Sequence, residues 1–381
     1  VNLSLSDEQV FLREAARGAL SRFKTFEAAR ETLDGDTSAL PDLWPVASEA
    51  GWPGLLISEE HDGAGLDVFD AMLVLGECGR VLASVPLLGH LPATAILNDA
   101  PSAAEFLPAL ASGERRAAYL PSRPPDDITD RWSADPAHGL ERSALPTAGA
   151  AGEDGRVQLN GSFAFVPDAP GADVLVGVAL QDGRAIGFAL LSDAPGVKVE
   201  SVTRYDATRS LGHVTLRDAP AVVLDAPEDS LAGAWHLAQA LIAAESIGSV
   251  ETALDVSVAY AKERFTFGRA IGSYQAVKHS LTEVLRQLEN GRSLLYYAGW
   301  ARTGSPAEFP LAANAARSVA GRALDQAART MISVHGGTGA TWEHDAPLYF
   351  RRAELSRRLL GGTSSATDRV AGELLTQARA A

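Results

Sequence analysis

The sequence predicts an α+β chain in three parts: a helical segment over 1–115, a small β domain over 116–228 and a helical bundle over 229–381. Three observations predict it. Apolar residues recur at helical spacing near the N-terminus. After about residue 115 that periodicity gives way to short β-rich runs separated by turn residues, as in a small barrel or sandwich. After about residue 228, long helical patterns with short connections return, and such a pattern makes a bundle.

In the first segment, Ser6 is placed to cap a helix carrying Val10, Phe11, Leu12, Ala15, Ala16 and Leu20 on one face. Two more helices are expected over 43–52 and 69–83, with an acidic, glycine-bearing loop between them, and a further pair over 90–112. The loop carboxylates Glu59, Glu60 and Asp62 read as solvated.

In the second segment, candidate strands are 157–167, 172–180, 185–192, 197–202, 211–216 and 221–224. Turns are expected at Glu153-Asp154-Gly155, Asn160-Gly161 and Gln181-Asp182-Gly183, and the Pro-Pro-Asp-Asp run at 124–127 marks the loop leading in. The bundle should hold helices from near Ser230 to Phe265, Gly272 to Ala301 and Pro306 to Val334, then two more after a loop at 335–345.

Composition narrows the function. There are 33 basic and 48 acidic residues, and a net charge of −15 argues against nucleic acid and anionic membrane surfaces. The single cysteine, Cys78, excludes an internal disulfide and fits a reducing cytoplasm. No apolar run approaches the roughly 20 residues of a membrane span. The first residues lack the basic-then-apolar pattern of a secretory signal. Glu343, His344 and Asp345 are consecutive and do not converge on one helix face, so no metal site is expected there.

The most informative stretch is Ala261 to His279. Arg264 stands just before Phe265, Thr266, Phe267 and Gly268 at a helix–helix junction, and Gln275, Lys278 and His279 follow. Two readings are open: a charged interhelical loop, or a holder for a flat, phosphate-bearing cofactor. In the second, the guanidinium pairs with pyrophosphate and the glycine lets backbone come close. The stretch resembles the Arg-x-x-Phe-Gly-x-x-Ile-x-x-x-Gln-x-x-x-His segment of the acyl-CoA dehydrogenase flavoproteins. The resemblance covers nearly the whole chain. The opening helix pattern at 7–17, the stretch 51–80 and the late glycine-pair segment 334–354 are similar to the family's as well.

That resemblance implies FAD bound between subunits, an acyl-CoA substrate losing a proton from Cα and a hydride from Cβ, and a flavin that carries the redox chemistry. It places Arg264, Thr266, Phe267 and Gln275 near the FAD of a neighbouring subunit, Gly336 and Gly337 along its adenine–pyrophosphate path, and Thr363 against the dinucleotide. It implies a homo- or hetero-tetramer with a related subunit, and electron-transfer flavoprotein or a similar acceptor. Residues 84–89 and the apolar helix after them would border the acyl pocket.

The sequence also departs from the pattern. The family's base is a Glu in a Glu-Gly-Thr-Ser loop, and the corresponding residue here is Gly361. An alternative base position aligns with Ala238, and a frequent arginine beside it with Gln239. The flavin-facing aromatic-Ile-Thr stretch reads Phe165-Val166-Pro167-Asp168, a family glutamine is Ser333, and the substrate loop is replaced by 145–155. One carboxylate, Glu245, lies in an apolar helical stretch where burial would raise its pKa toward that of a base. Glu245 is therefore either a relocated base or a structural carboxylate bridging to a bundle arginine such as Arg286 or Arg317. Three functions follow: an active dehydrogenase, a base-lacking subunit that completes a partner's flavin site, or a flavin monooxygenase of the same fold.

Overall fold

The computed structural model describes residues 4–35, 39–125, 131–134, 144–152, 155–202 and 204–380. Helix α1 (Asp7–Leu20) opens with a capping box: Ser6 Oγ accepts the Gln9 amide at 3.2 Å, and Gln9 Oε1 accepts the Ser6 amide at 3.1 Å. Helix α2 (Thr25–Leu33) has no side-chain cap, and its sequence carries no start signal. Helix α3 (Trp44–Glu49) is shorter than expected because Gly51 turns left-handed at φ 73°. Helices α4 (Val68–Arg80), α5 (Leu87–Asn98) and α6 (Leu107–Ala111) complete the first segment.

The middle segment holds β1 (Ala117–Tyr119), β2 (Ser122–Arg123), β3 (Ser133–Ala134), β4 (Thr147–Ala148), β5 (Arg156–Pro167), β6 (Val174–Gln181), β7 (Arg184–Leu191), β8 (Val197–Ser201) and β9 (Leu211–Leu224). Strand β4 pairs with β5, β5 with β9, β9 with β7, β7 with β6, and β6 back with β4, so the sheet closes into a small barrel. Strands β1 and β8 extend it on β6 and β9. The two strands expected at 211–216 and 221–224 are one strand: the chain absorbs Asp218, at φ 48°, in a bulge instead of a turn. Residues 126–127 of the acidic loop and Glu153-Asp154 of the first expected turn lie outside the described residues.

Helix α7 (Glu228–Glu263) is the axis of the molecule. Its 36 residues span about 54 Å, and it is apolar on all sides along its middle, the pattern of a helix surrounded by protein. Helix α4 packs on it at backbone distance. A Cβ on Gly79 would lie 1.9 Å from the Glu245 carbonyl oxygen, so only glycine fits there. The hairpin β10 (Phe265–Thr266) and β11 (Arg269–Ala270) follows, then α8 (Gln275–Gly304), α9 (Phe309–His335), α10 (Ala346–Ser356) and α11 (Gly362–Ala380). Among the described residues no helix is long and apolar enough to cross a membrane, and no group of His, Cys, Asp and Glu could hold a metal ion.

Candidate active-site cleft

A cleft of about 1860 Å³ opens between the barrel and the bundle. This exceeds the roughly 300–1,000 Å³ of ordinary small-molecule pockets. Among the described residues its walls carry six arginines, Arg123, Arg204, Arg322, Arg351, Arg357 and Arg358, against three carboxylates, Asp325, Glu354 and Asp368. Glu354 is held by Arg358 at 2.8 Å and Arg329 at 3.1 Å, and Asp325 by Arg329 at 2.9 Å. A strongly acidic chain thus presents a basic cleft, which suits an anionic ligand. The Arg204 guanidinium lies 4.1 Å from the centre of the Phe165 ring. Ser133 Oγ, on the cleft wall, is buried without a hydrogen-bond partner among the described residues and can donate to or accept from a ligand.

The cleft floor is the turn between α10 and α11. Leu360, Gly361 and Gly362 are all left-handed, with φ of 53°, 76° and 73°. Two buried side chains from the bundle hold the turn. Gln239 Nε2 donates to the Leu360 carbonyl at 3.0 Å, and Arg317 Nη2 donates to the Leu359 carbonyl at 3.2 Å. Trp235, one helical turn before Gln239, backs Gly361: a Cβ there would lie 3.2 Å from Cζ2 and 3.3 Å from Cη2 of the indole. Gln239 and Trp235 were not recognisable as a pair from sequence, because what they read is backbone more than a hundred residues away.

The structure places Glu245 in a buried ion-pair network. Arg352 Nη1 donates to its Oε1 at 2.6 Å, and Arg209 Nη2 donates to its Oε2. Arg352 Nε also pairs with Asp206 at 2.8 Å. Both carboxylate oxygens are committed to guanidinium groups, and Glu245 does not line the cleft. The bridging arginines are not those expected either: Arg286 pairs with Glu283 on the surface, and Arg317 holds the α10–α11 turn. Ala238 is fully buried.

Of the expected cofactor residues, Thr363 lines the cleft, packed against Gly321, whose Cβ would come within 2.1 Å of the Thr363 methyl. Arg264, Thr266, Phe267, Gln275, Gly336 and Gly337 do not line it. The hairpin instead projects into solvent. Phe267 and Gly268 form its turn at φ 50° and 77°, and the Phe267 ring is 98% exposed. Positive φ at both central positions is the geometry of a type I′ turn, and a bulky residue there is strained. Ile271 N donates to Arg264 O at 2.8 Å, and Tyr274 Oη donates to Thr266 O at 3.1 Å, which fixes the projection. Gln275 begins α8 and is exposed.

Gly336 and Gly337 end α9 and are exposed, with Gly336 at φ 61°. His335 beside them is a packing residue, its Nδ1 bonded to Met331 O at 2.7 Å and its ring between Tyr260 and His344. The described residues of the stretch 145–155, expected in place of the substrate loop, do not line the cleft; Arg123 and Ser133 do.

Comparison with known proteins fits this architecture. The family model for the acyl-CoA dehydrogenase N-terminal domain matches residues 6–114, and that for the C-terminal domain matches residues 233–375. Acyl-CoA dehydrogenase IpdE2 of Mycobacterium tuberculosis is 31% identical, over 97% of this chain and 98% of its own length. The chain belongs to the acyl-CoA dehydrogenase family. Acyl-CoA dehydrogenase FadE34 of the same organism is 33% identical over 98% of this chain, which spans 49% of FadE34. Among solved structures, a variant of the Tcur3481-Tcur3483 steroid ACAD superimposes with a TM-score of 0.85 at 27% identity, covering 99% of this chain and 100% of that one. The ChsE4-ChsE5 complex from Mycobacterium tuberculosis superimposes with a TM-score of 0.84 at 25% identity, covering 98% and 99%. Each of these two structures is named for a pair of chains.

Proposed function

We propose that this chain is a subunit of a FAD-dependent acyl-CoA dehydrogenase assembly, in which it completes the flavin site of a related subunit and supplies no base of its own. One observation carries this reading: Gly361, where the family's base is expected, is a left-handed glycine without an ionisable side chain, and a Cβ there would crowd the Trp235 ring at 3.2 Å. The ion pairs of Glu245 support it, since both carboxylate oxygens are occupied by guanidinium donors and neither faces the cleft. So does the hairpin. Strain at Phe267 and exposure of its ring are both unfavourable in an isolated chain, and covering the ring with a partner's cofactor offsets them.

The residues present fit FAD. Bound FAD accepts the hydride that leaves the acyl Cβ. Arg264 offers a pre-organised fork for pyrophosphate, Gly336 and Gly337 expose backbone without side chains, and Gln275 offers an amide at the start of α8. In this chain's own cleft, Ser133, Thr363 and the arginine walls face an anionic ligand. The paired chains for which the steroid ACAD and ChsE4-ChsE5 structures are named support an assembly of two related chains. We take that assembly as a tetramer in the cytoplasm that passes electrons to an electron-transfer flavoprotein or similar acceptor.

The experiment is purification alone and after co-expression with a homologous chain encoded next to it, with flavin stoichiometry and acyl-CoA-dependent dye reduction as readouts. The expected outcome is flavin and activity only in the co-expressed complex. Full flavin occupancy and turnover by the isolated chain would overturn it.

A further inference from the structure

Asp168 joins the barrel to the first helical segment. Its carboxylate oxygen Oδ2 accepts the amide of Gly89 at 2.8 Å. Gly89 is the third residue of α5, whose N-cap, Pro86, gives no side-chain bond, so a residue of the barrel caps a helix of the first segment. The approach is close enough to require glycine. A Cβ on Gly89 would lie 2.7 Å from the Pro167 carbonyl oxygen and 3.0 Å from Asp168 Cβ.

The other end of the same short stretch faces the cleft. Phe165 lines it beneath Arg204, and its amide donates to His213 Nδ1 at 3.4 Å. Both Phe165 and Asp168 are left-handed, at φ 53° and 61°. Two strained residues so near each other persist only where the surroundings hold them. At Asp168 those surroundings are the Gly89 amide and the Ser210 carbonyl, which accepts the Asp168 amide at 3.0 Å.

We propose that Asp168 is a positioning residue of the cleft: by capping α5 it fastens the end of β5 and fixes where Phe165 and Arg204 stand for a flat aromatic ligand. The inference rests on the proposed function only for the identity of that ligand as a flavin. Neither the capping bond nor its effect on the Phe165 backbone depends on that reading.

The charge on Asp168 gives the device a second signature. Burial pushes its carboxyl up to about 7, while the Gly89 amide and the nearby Arg209 and Arg352 pull the other way and Glu245 adds to the rise. His90, next to Gly89, turns away to Pro53 and Ala117. A carboxyl raised in the folded state contributes stability that is fully present below its ordinary value of 3.8 and is lost as pH rises through about 7. Asn at this position keeps an acceptor for Gly89 and cannot ionise.

The test uses the full chain, in complex if it requires one, as wild type, Asp168→Ala and Asp168→Asn. Amide hydrogen exchange is followed in peptides covering 84–92 and 162–168, with FAD retention and urea midpoints from pH 4 to 8. Losing this hydrogen bond should speed exchange at Gly89 about tenfold in Asp168→Ala. Exchange at 162–168 should rise with it and FAD retention should fall several-fold. Asp168→Asn should behave like wild type in exchange, and should gain stability over wild type as pH rises through about 7.

Unchanged exchange in Asp168→Ala, or equally fast exchange in both variants, overturns the proposal. Faster exchange at 84–92 with protected 162–168 and normal FAD retention overturns the positioning role. If wild type retains no FAD, the flavin reading fails and the two exchange windows decide the positioning claim. If Asp168→Ala does not fold, Asp168→Asn decides it: exchange at 84–92 faster than wild type overturns the proposal.

Discussion

Arg352 meets Glu245 at 2.6 Å in the interior of the bundle, and the same guanidinium meets Asp206 at 2.8 Å. Glu245 lies on α7, Arg352 on α10, and Asp206 on the loop that leads from the barrel's β8 to β9. Arg352 Nη2 also donates to the Thr208 carbonyl at 3.0 Å, and Arg351 Nη1 to the Tyr205 carbonyl at 2.7 Å. The barrel loop that carries Arg204 and the helix that carries Arg351 are therefore tied together behind the cleft they both line.

Substitution of Glu245 by Gln should act on stability and not on chemistry. It removes the ion-pair partner of Arg209 and leaves Arg352 with Asp206, and breaking one partner of a buried pair costs about 3 kcal/mol. Urea denaturation should show that loss. The assembled complex, assayed where it remains folded, should keep acyl-CoA oxidation within a few-fold of wild type. A loss of several orders of magnitude would restore Glu245 as the base.

Gly361→Glu should not turn the isolated chain into a dehydrogenase. A side chain at φ 76° is strained by about 1–2 kcal/mol, and its Cβ also crowds the Trp235 ring. The variant should be less stable by about 2 kcal/mol. Part of that loss should vanish when it is combined with Trp235→Ala, since contacting residues couple. Thermal unfolding of the four proteins of this cycle measures the coupling, and additive losses would show that Trp235 does not guard the position.

Phe267→Asn should separate folding from assembly. Asn-Gly is the favoured pair for a type I′ turn, so relief of the left-handed phenylalanine should leave stability unchanged or raise it by up to about 1 kcal/mol. Removing a fully exposed aromatic anchor from an interface costs about 2 kcal/mol or more, about thirtyfold in affinity. Analytical ultracentrifugation with flavin absorbance should therefore report a well-folded chain that holds its partner and its flavin poorly. Unaltered assembly would place the hairpin outside the interface.

Local signals in the sequence survive in the fold, and long-range ones do not. The Ser6 cap, the strand at 157–167 and the ends of the long helices are set within a few residues, and the structure places them within a few positions of expectation, though the turn expected at Asn160-Gly161 lies inside that strand. Helix α2 escaped because Lys24 provides no cap and its stability comes from packing. Phe267 and Gly268 read as part of an interhelical loop, because the tight hairpin depends on a left-handed phenylalanine that propensity disfavours. Glu245 was legible as an unusual buried carboxylate, but its partners come from residues 36 and 107 positions away, which no spacing rule reaches. The arginine cleft is the same case: its walls are assembled from both sides of the chain's domain order, and a net charge of −15 conceals them.

His90 gives the last prediction, on acid. It is fully buried beside Gly89, where its Nδ1 accepts the Ala117 amide at 3.0 Å and its Nε2 faces the Pro53 carbonyl at 3.2 Å. That pattern requires a neutral ring with the proton on Nε2. Burial drops its pKa from 6.5 to about 4, against the pull of its carbonyl partners. The unfolded chain therefore takes up a proton at higher pH than the folded one, and stability is complete above 6.5 and lost as pH falls toward about 4. A drop of this size is worth on the order of 3 kcal/mol. Asp168 runs in the opposite sense over an overlapping range, so the wild-type profile mixes the two. Urea midpoints of Asp168→Asn at pH 7.5, 5.5 and 4.5 should expose the His90 loss, and changing His90 to Gln in that background should flatten it. A midpoint equally pH-dependent in both would show that another group controls acid stability.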